Sequence, residues 1–164
     1  NYSGAQFADA VRVCQREGYT RILIHQPYYN MLSRQVETDL LPHTERAGTG
    51  VIAFCPLASG FLTDKYLGDT IPADSRAALQ WGAEWVSQNL PPEKKAVLLQ
   101  LNALARERGQ TLAQMALAWV LRLPGITSAL IGASKVSQIE ENVAALAHRH
   151  FSDEELARID ALTK

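Results

Sequence analysis

The chain has 164 residues, 47% of them hydrophobic, which is enough apolar material for a real core and too much for a disordered tail. A net charge of −1 removes any general electrostatic case for nucleic acid or an anionic membrane surface. Two cysteines, Cys14 and Cys55, without a CxxC spacing, indicate neither a disulfide framework nor a zinc site, and no apolar run approaches the roughly 20 residues that span a bilayer. The expectation is a protein of a reducing, cytoplasmic compartment, with no nucleic-acid, membrane or metal partner. The chain opens on Asn1-Tyr2-Ser3-Gly4 without a Met, as though cut from something longer.

Taken in order, Ser3 followed three residues later by Gln6 has capping-box spacing. Phe7, Ala10, Val11 and Cys14 continue at helical spacing to a stop at Gly18. Residues 19–25 are β-rich and end before Gln26-Pro27, so they are expected to form a strand. Residues 35–47 are expected to form one helix, with Val36, Leu40 and Leu41 inward and Gly48 closing it. Residues 51–55 form the next expected strand. A long segment, residues 56–91, follows with turn chemistry at Gly68-Asp69 and Ile71-Pro72; segments of this length in compact domains usually carry function or move. Pro91-Pro92 opens another helix that ends at Gly109. Thr111 and Gln114 make a second capping box, ahead of a helix broken at Pro124-Gly125. Residues 126–131 are the third expected strand. Gly132-Ala133-Ser134 leads into a helix carrying Val136, Ile139, Val143 and Leu146, and Ser152 with Glu155 caps a last helix.

Strands that alternate with helices imply βαβ units and a parallel sheet. Three such strands alone leave long edges exposed, so the pattern reads as part of an eight-strand barrel. Ligands of parallel αβ proteins bind at the carboxyl ends of the strands. That places the functional interest on Gly50-Val-Ile-Ala-Phe-Cys-Pro-Leu-Ala-Ser-Gly-Phe-Leu-Thr-Asp-Lys-Tyr66. Phe54 stands where it can stack on a planar ring or simply fill a core. Gly132-Ala133-Ser134 before a helix is an anion cradle or an ordinary tight turn. Lys65 and Arg76 flank the long segment, as phosphate contacts or as solvated charge. Trp81 and Trp85 either face a pocket or pack a lid. His148 and His150 lack partners for a metal, and nothing local lowers the pKa of Tyr28 or Tyr29.

Together these residues carry a resemblance. Asn1-Tyr2, His25-Gln26-Pro27-Tyr28-Tyr29-Asn30, Ala53-Phe54-Cys55-Pro56-Leu57-Ala58-Ser59-Gly60, Thr63-Asp64-Lys65-Tyr66, Ser75-Arg76, and Leu130-Ile131-Gly132-Ala133-Ser134 through Gln138 to Glu141-Asn142 resemble the aldo-keto reductase superfamily. Within it they are similar to bacterial reductases akin to the potassium channel β subunit, glyceraldehyde-3-phosphate reductase among them. The resemblance covers residues 1–164 as one unit. It corresponds to the C-terminal, cofactor-binding half of the family's (β/α)8 barrel, roughly strands 6–8 with their helices and a C-terminal helix.

The resemblance implies NADPH, with NADH left open, bound at the carboxyl ends of the strands. It implies that Asn1 and Gln26 hydrogen-bond the nicotinamide carboxamide and that Phe54 stacks on the ring, where the family usually has Tyr or Trp. Cys55, Leu57, Ser59 and Gly60 would line the pyrophosphate path, and Lys65 would meet phosphate. Arg76, Ser134, Gln138, Glu141 and Asn142 would hold the adenosine end, with Ser134 and Arg76 near the 2′-phosphate. Ala133 stands where family reductases often have lysine, and Cys55 where serine is common. The family's Asp-Tyr-Lys-His catalytic tetrad maps onto no residue of this chain. The implied parent activity is reduction of a carbonyl substrate, an aldehyde or ketone, to an alcohol, by a homo-oligomer. The implied alternatives are a cofactor-sensing subunit like the channel β subunits, and a non-catalytic half-barrel that assembles with another chain.

Overall fold

The computed structural model describes residues 1–75 and 77–164, with Ala83 given by its backbone alone. Ser3 opens helix α1 (Gly4–Glu17) with both bonds of its capping box, and Gly18 closes it at φ 68, a left-handed conformation that glycine adopts without a Cβ clash. Strand β1 covers Ile24–His25 alone, shorter than the expected 19–25. Its two residues pair in parallel with Gly50 and Val51, and ahead of them Thr49 Oγ1 donates to the Ile22 carbonyl at 2.7 Å. With a neighbour on one side only, the earlier residues have no ladder to join.

The helix expected over 35–47 is two helices, α2 (Val36–Asp39) and α3 (Leu41–Ala47). Pro42 is the cause: it has no N–H to give to the preceding turn, so the ladder breaks and restarts at Leu40. Strand β2 (Gly50–Phe54) runs parallel to both β1 and β3 (Ile126–Leu130), giving the sheet order β1-β2-β3. The register slips between Val51 and Ile52, where Thr127 Oγ1 accepts from the Val51 amide instead.

Between β2 and β3 the chain is less bare than its sequence suggests. Short helical turns at Ala58–Gly60, Asp64–Tyr66 and Ala77–Trp81 precede α4 (Ala83–Asn89) and α5 (Pro92–Glu107). Helix α6 (Leu112–Val120), capped by Thr111, is buried almost throughout and forms the floor on which the sheet rests. After β3 come α7 (Val136–Ala144), the turn Ala145–His148 and α8 (Asp153–Thr163).

Val51 and Ala53 turn their side chains to the helices and are fully buried there with Leu98, Leu101, Leu104, Met115, Ala116, Trp119 and Ile159. The alternate residues Ile52 and Phe54 face the other way and are half-buried, as the two-residue period of a strand requires. Ile24 is 57% and Leu130 50% exposed. Val136, Ile139 and Val143 of α7, and Leu146 of the turn after it, are exposed instead of forming core. Among the described residues no helix is long and apolar enough to cross a membrane.

Candidate functional site

The same alternation builds the first wall of the site. From the end of β1 onward, His25, Pro27 and Tyr29 are buried toward the helices, while Gln26 and Tyr28 are exposed on the opposite face. Two backbone bonds hold this stretch to β2: the Phe54 amide donates to the Pro27 carbonyl at 3.0 Å, and the Tyr29 amide donates to the Phe54 carbonyl at 3.3 Å. Tyr28 then meets Phe54 edge-on, with ring centroids 5.4 Å apart. Gln26, Tyr28 and Phe54 thus share the side of the sheet that the helices leave open. His25, on the far side, packs against Phe7 at 5.4 Å, and burial holds its imidazole below the usual pKa.

Past Phe54 the backbone is strained. Cys55, Ala58 and Ser59 have φ of 52°, 48° and 60°, left-handed values that cost a non-glycine residue on the order of 1 kcal/mol each. Local bonds hold the turn. The Asn30 side-chain amide donates to the Cys55 carbonyl at 3.1 Å while its oxygen accepts from the Leu32 amide at 3.0 Å. The Gly60 amide donates to Leu57 O, and Thr63 Oγ1 donates to Gly60 O at 2.7 Å. Leu57, Ser59 and Gly60 are half-buried in this turn, and Lys65 is exposed just beyond it. Phe61 stacks on Trp85 at 5.2 Å, and Trp85 meets Trp81 at 4.0 Å, so these tryptophans pack the long segment onto itself.

The third wall follows β3. The Ser134 amide donates to Gln138 Oε1 at 2.8 Å, which folds the turn against α7 and joins two residues expected at one site. Glu141 and Asn142 lie one turn further along the helix, and Gln114 of α6 donates to the Glu141 carbonyl. Lys135 reaches across to Asp74 of the long segment at 2.8 Å. The hydrogen bond and charge of Lys135, with a smaller contribution from Lys65, hold the Asp74 carboxyl below its ordinary pKa. Lys65, Asp74 and the Ser134 turn are thereby drawn to one region. The charge of Lys135, which could have met a phosphate, is engaged with Asp74.

Of the expected site residues, Phe54 is the last residue of β2, and Gln26, Cys55, Leu57, Ser59, Gly60, Lys65, Ser134, Gln138, Glu141 and Asn142 come after the carboxyl end of a strand. Asn1 is exposed ahead of α1. Arg76 lies outside the described residues. Residue reasoning passed over Tyr29 and Asn30, which are fully buried, and Asp74.

A parallel sheet with an open face, a strained turn after its central strand and a small-residue turn ahead of a helix form the setting in which α/β proteins place ligands, at the carboxyl ends of the strands. The sequence profile of the aldo/keto reductase family matches residues 2–164, and the chain belongs to that family. It is 47% identical over 148 residues to L-glyceraldehyde 3-phosphate reductase of Escherichia coli (strain K12), an alignment covering 88% of this chain and 42% of that protein. It is 38% identical over 146 residues to a probable voltage-gated potassium channel subunit beta of Oryza sativa subsp. japonica, covering 88% and 44%. A putative subunit of the same kind in Schizosaccharomyces pombe is 42% identical over 125 residues, covering 74% and 36%. The chain spans less than half the length of these curated relatives.

Proposed function

We propose that this chain is the cofactor-holding portion of an NADPH-dependent reductase that converts an aldehyde or ketone to an alcohol. The observation that carries the reading is the placement of Gln26, Tyr28 and Phe54 on one open sheet face, directly before the strained turn at Cys55–Ser59. The donor set suits a nicotinamide dinucleotide. The Gln26 amide can both donate to and accept from a carboxamide, and the Phe54 ring offers a flat apolar support. Ser134, with Gln138, Glu141 and Asn142 beside it, gives polar groups for an adenosine end, and Lys65 a charge for phosphate. When bound, the dinucleotide supplies the hydride; this chain's residues bind and orient it.

The proton that must reach the carbonyl oxygen has no donor assigned here. The 164-residue stretch alone is therefore proposed to bind NADPH without turning over a carbonyl. The full-length gene product is proposed to reduce one, working as a homo-oligomer. The name of the Escherichia coli relative makes L-glyceraldehyde 3-phosphate the first aldehyde to try. The test follows NADPH absorbance with the full-length protein and a panel of aldehydes. Carbonyl-dependent oxidation is the expected result; saturable NADPH binding without oxidation of any panel member contradicts the reductase reading. That second outcome favours a cofactor-sensing subunit, a reading that the relatives named as channel subunits also support.

A further inference from the structure

We infer that Tyr29 is a positioning residue for the cofactor face, acting through Gln26 from the opposite side of the same extended stretch after β1. The inference rests on the cofactor reading above. Ladder pairing of β1 with β2 involves only Ile24 and His25. Beyond them, among the described residues, the stretch is tied to β2 and the turn after it by the two backbone bonds at Phe54 and by the Asn30 side-chain amide on the Cys55 carbonyl. These bonds all lie along one edge of the stretch, and a twist about its own axis would turn Gln26 and Tyr28 out of the site.

Tyr29 resists that twist. It is fully buried, and its ring packs on Trp119 with centroids 5.5 Å apart. Its hydroxyl donates to Glu37 Oε1 at 2.7 Å and accepts from Arg122 Nη1 at 2.8 Å. Both partners are themselves fixed. Arg122 donates its other nitrogen to Glu37 Oε1 at 2.7 Å and lies 3.6 Å from the Trp119 ring centre. Arg34 covers the same ring at 4.8 Å, donates to Glu37 Oε2 at 3.1 Å and reaches Asp160 of α8 at 2.7 Å. Two guanidinium groups are paired with two carboxylates, and the Tyr29 hydroxyl is the group through which they grip the site segment. Packing alone would keep an aromatic ring here; the two-point hydroxyl clamp adds direction, because both bonds are lost when the ring turns.

The experiment is a double-mutant cycle in the full-length gene product, read by the Kd for NADPH from fluorescence titration. Tyr29→Phe keeps the ring and removes the clamp. It is expected to weaken NADPH binding about five- to tenfold, the scale of one or two displaced hydrogen bonds. In a Gln26→Ala background the same change is expected to alter Kd less than about twofold, since the group it positions is gone. Ile159→Val, which loosens the core at α8 and leaves the Tyr29 hydroxyl and its two bonds in place, is expected to lower the melting temperature and leave Kd unchanged. If Tyr29→Phe does not fold, Arg122→Lys takes its place in the cycle, keeping the charge beside Glu37 and losing the two-pronged reach. A clamp variant that lowers the melting temperature but leaves Kd unchanged overturns the inference, as does an equal effect with and without Gln26. Wild-type protein that binds no NADPH overturns the cofactor reading itself, a result distinct from either.

Discussion

Asn30 does at the scale of a single side chain what Tyr29 does through a network. Fully buried, it satisfies the Cys55 carbonyl and the Leu32 amide at once, joining the loop after β1 to the strained turn after β2. Replacing Asn30 with Ala leaves both backbone groups without this partner, and a buried unsatisfied group costs roughly 1–3 kcal/mol. Urea denaturation of Asn30→Ala should show a loss in that range; an unchanged midpoint would mean that the turn at Cys55 holds without Asn30. This kind of contact was illegible beforehand. The sequence displayed the run from Gln26 to Asn30 as a motif, but Tyr29 meets Arg122 across a separation of 93 residues and Arg34 meets Asp160 across 126. Neither periodicity nor capping chemistry reports on partners so distant.

Elements were more readable because their signals are local. Three capping boxes, at Ser3, Thr111 and Ser152, form with both bonds, since each needs only residues three apart. The breaks that sequence misplaced came from tertiary context and from proline: β1 begins only where its ladder partner begins, at the Ile24–Gly50 pair, and Pro42 divides what the apolar spacing joins. Thr111→Ala removes the cap of the most buried helix and should cost about 1 kcal/mol, seen as a lowered denaturation midpoint. Helix α8 gives a prediction in pH. Burial raises the Asp160 carboxyl pKa, but hydrogen bonds and charges from Lys164 and Arg34 outweigh it, and the net direction is down. Glu155 behaves alike, with burial opposed by the Ser152 amide and Arg108. A depressed carboxyl stabilises the fold fully above its unfolded pKa, about 4, and loses that stabilisation as pH falls through the folded value. Hydrogen exchange in α8 should therefore rise below about pH 4. Asp160→Asn should flatten that rise; if the variant shows the wild-type acid limb, Asp160 does not contribute to it.

On the scale of the molecule, three parallel strands present apolar edge residues on both flanks, and α7 with the turn after it leaves Val136, Ile139, Val143 and Leu146 to solvent, 48 to 71% exposed. The alternation of strands and helices made the α/β class and the parallel sheet legible. The site was legible as a set of strand ends, because carboxyl-end loops are where such sheets place ligands. What holds those loops in shape was not. Exposed apolar edges favour association. Sedimentation velocity of the isolated stretch should show species heavier than its 18.1 kDa monomer at micromolar concentration; a clean monomer would contradict this.

The most direct test of the account is calorimetric titration of NADPH into the full-length protein and its Gln26→Ala variant. The account predicts one saturable site per chain, weakened about tenfold by the substitution, as the loss of one or two hydrogen bonds to the ligand requires. Equal affinity in the two proteins, or no binding to either, would contradict the assignment of this sheet face to the cofactor.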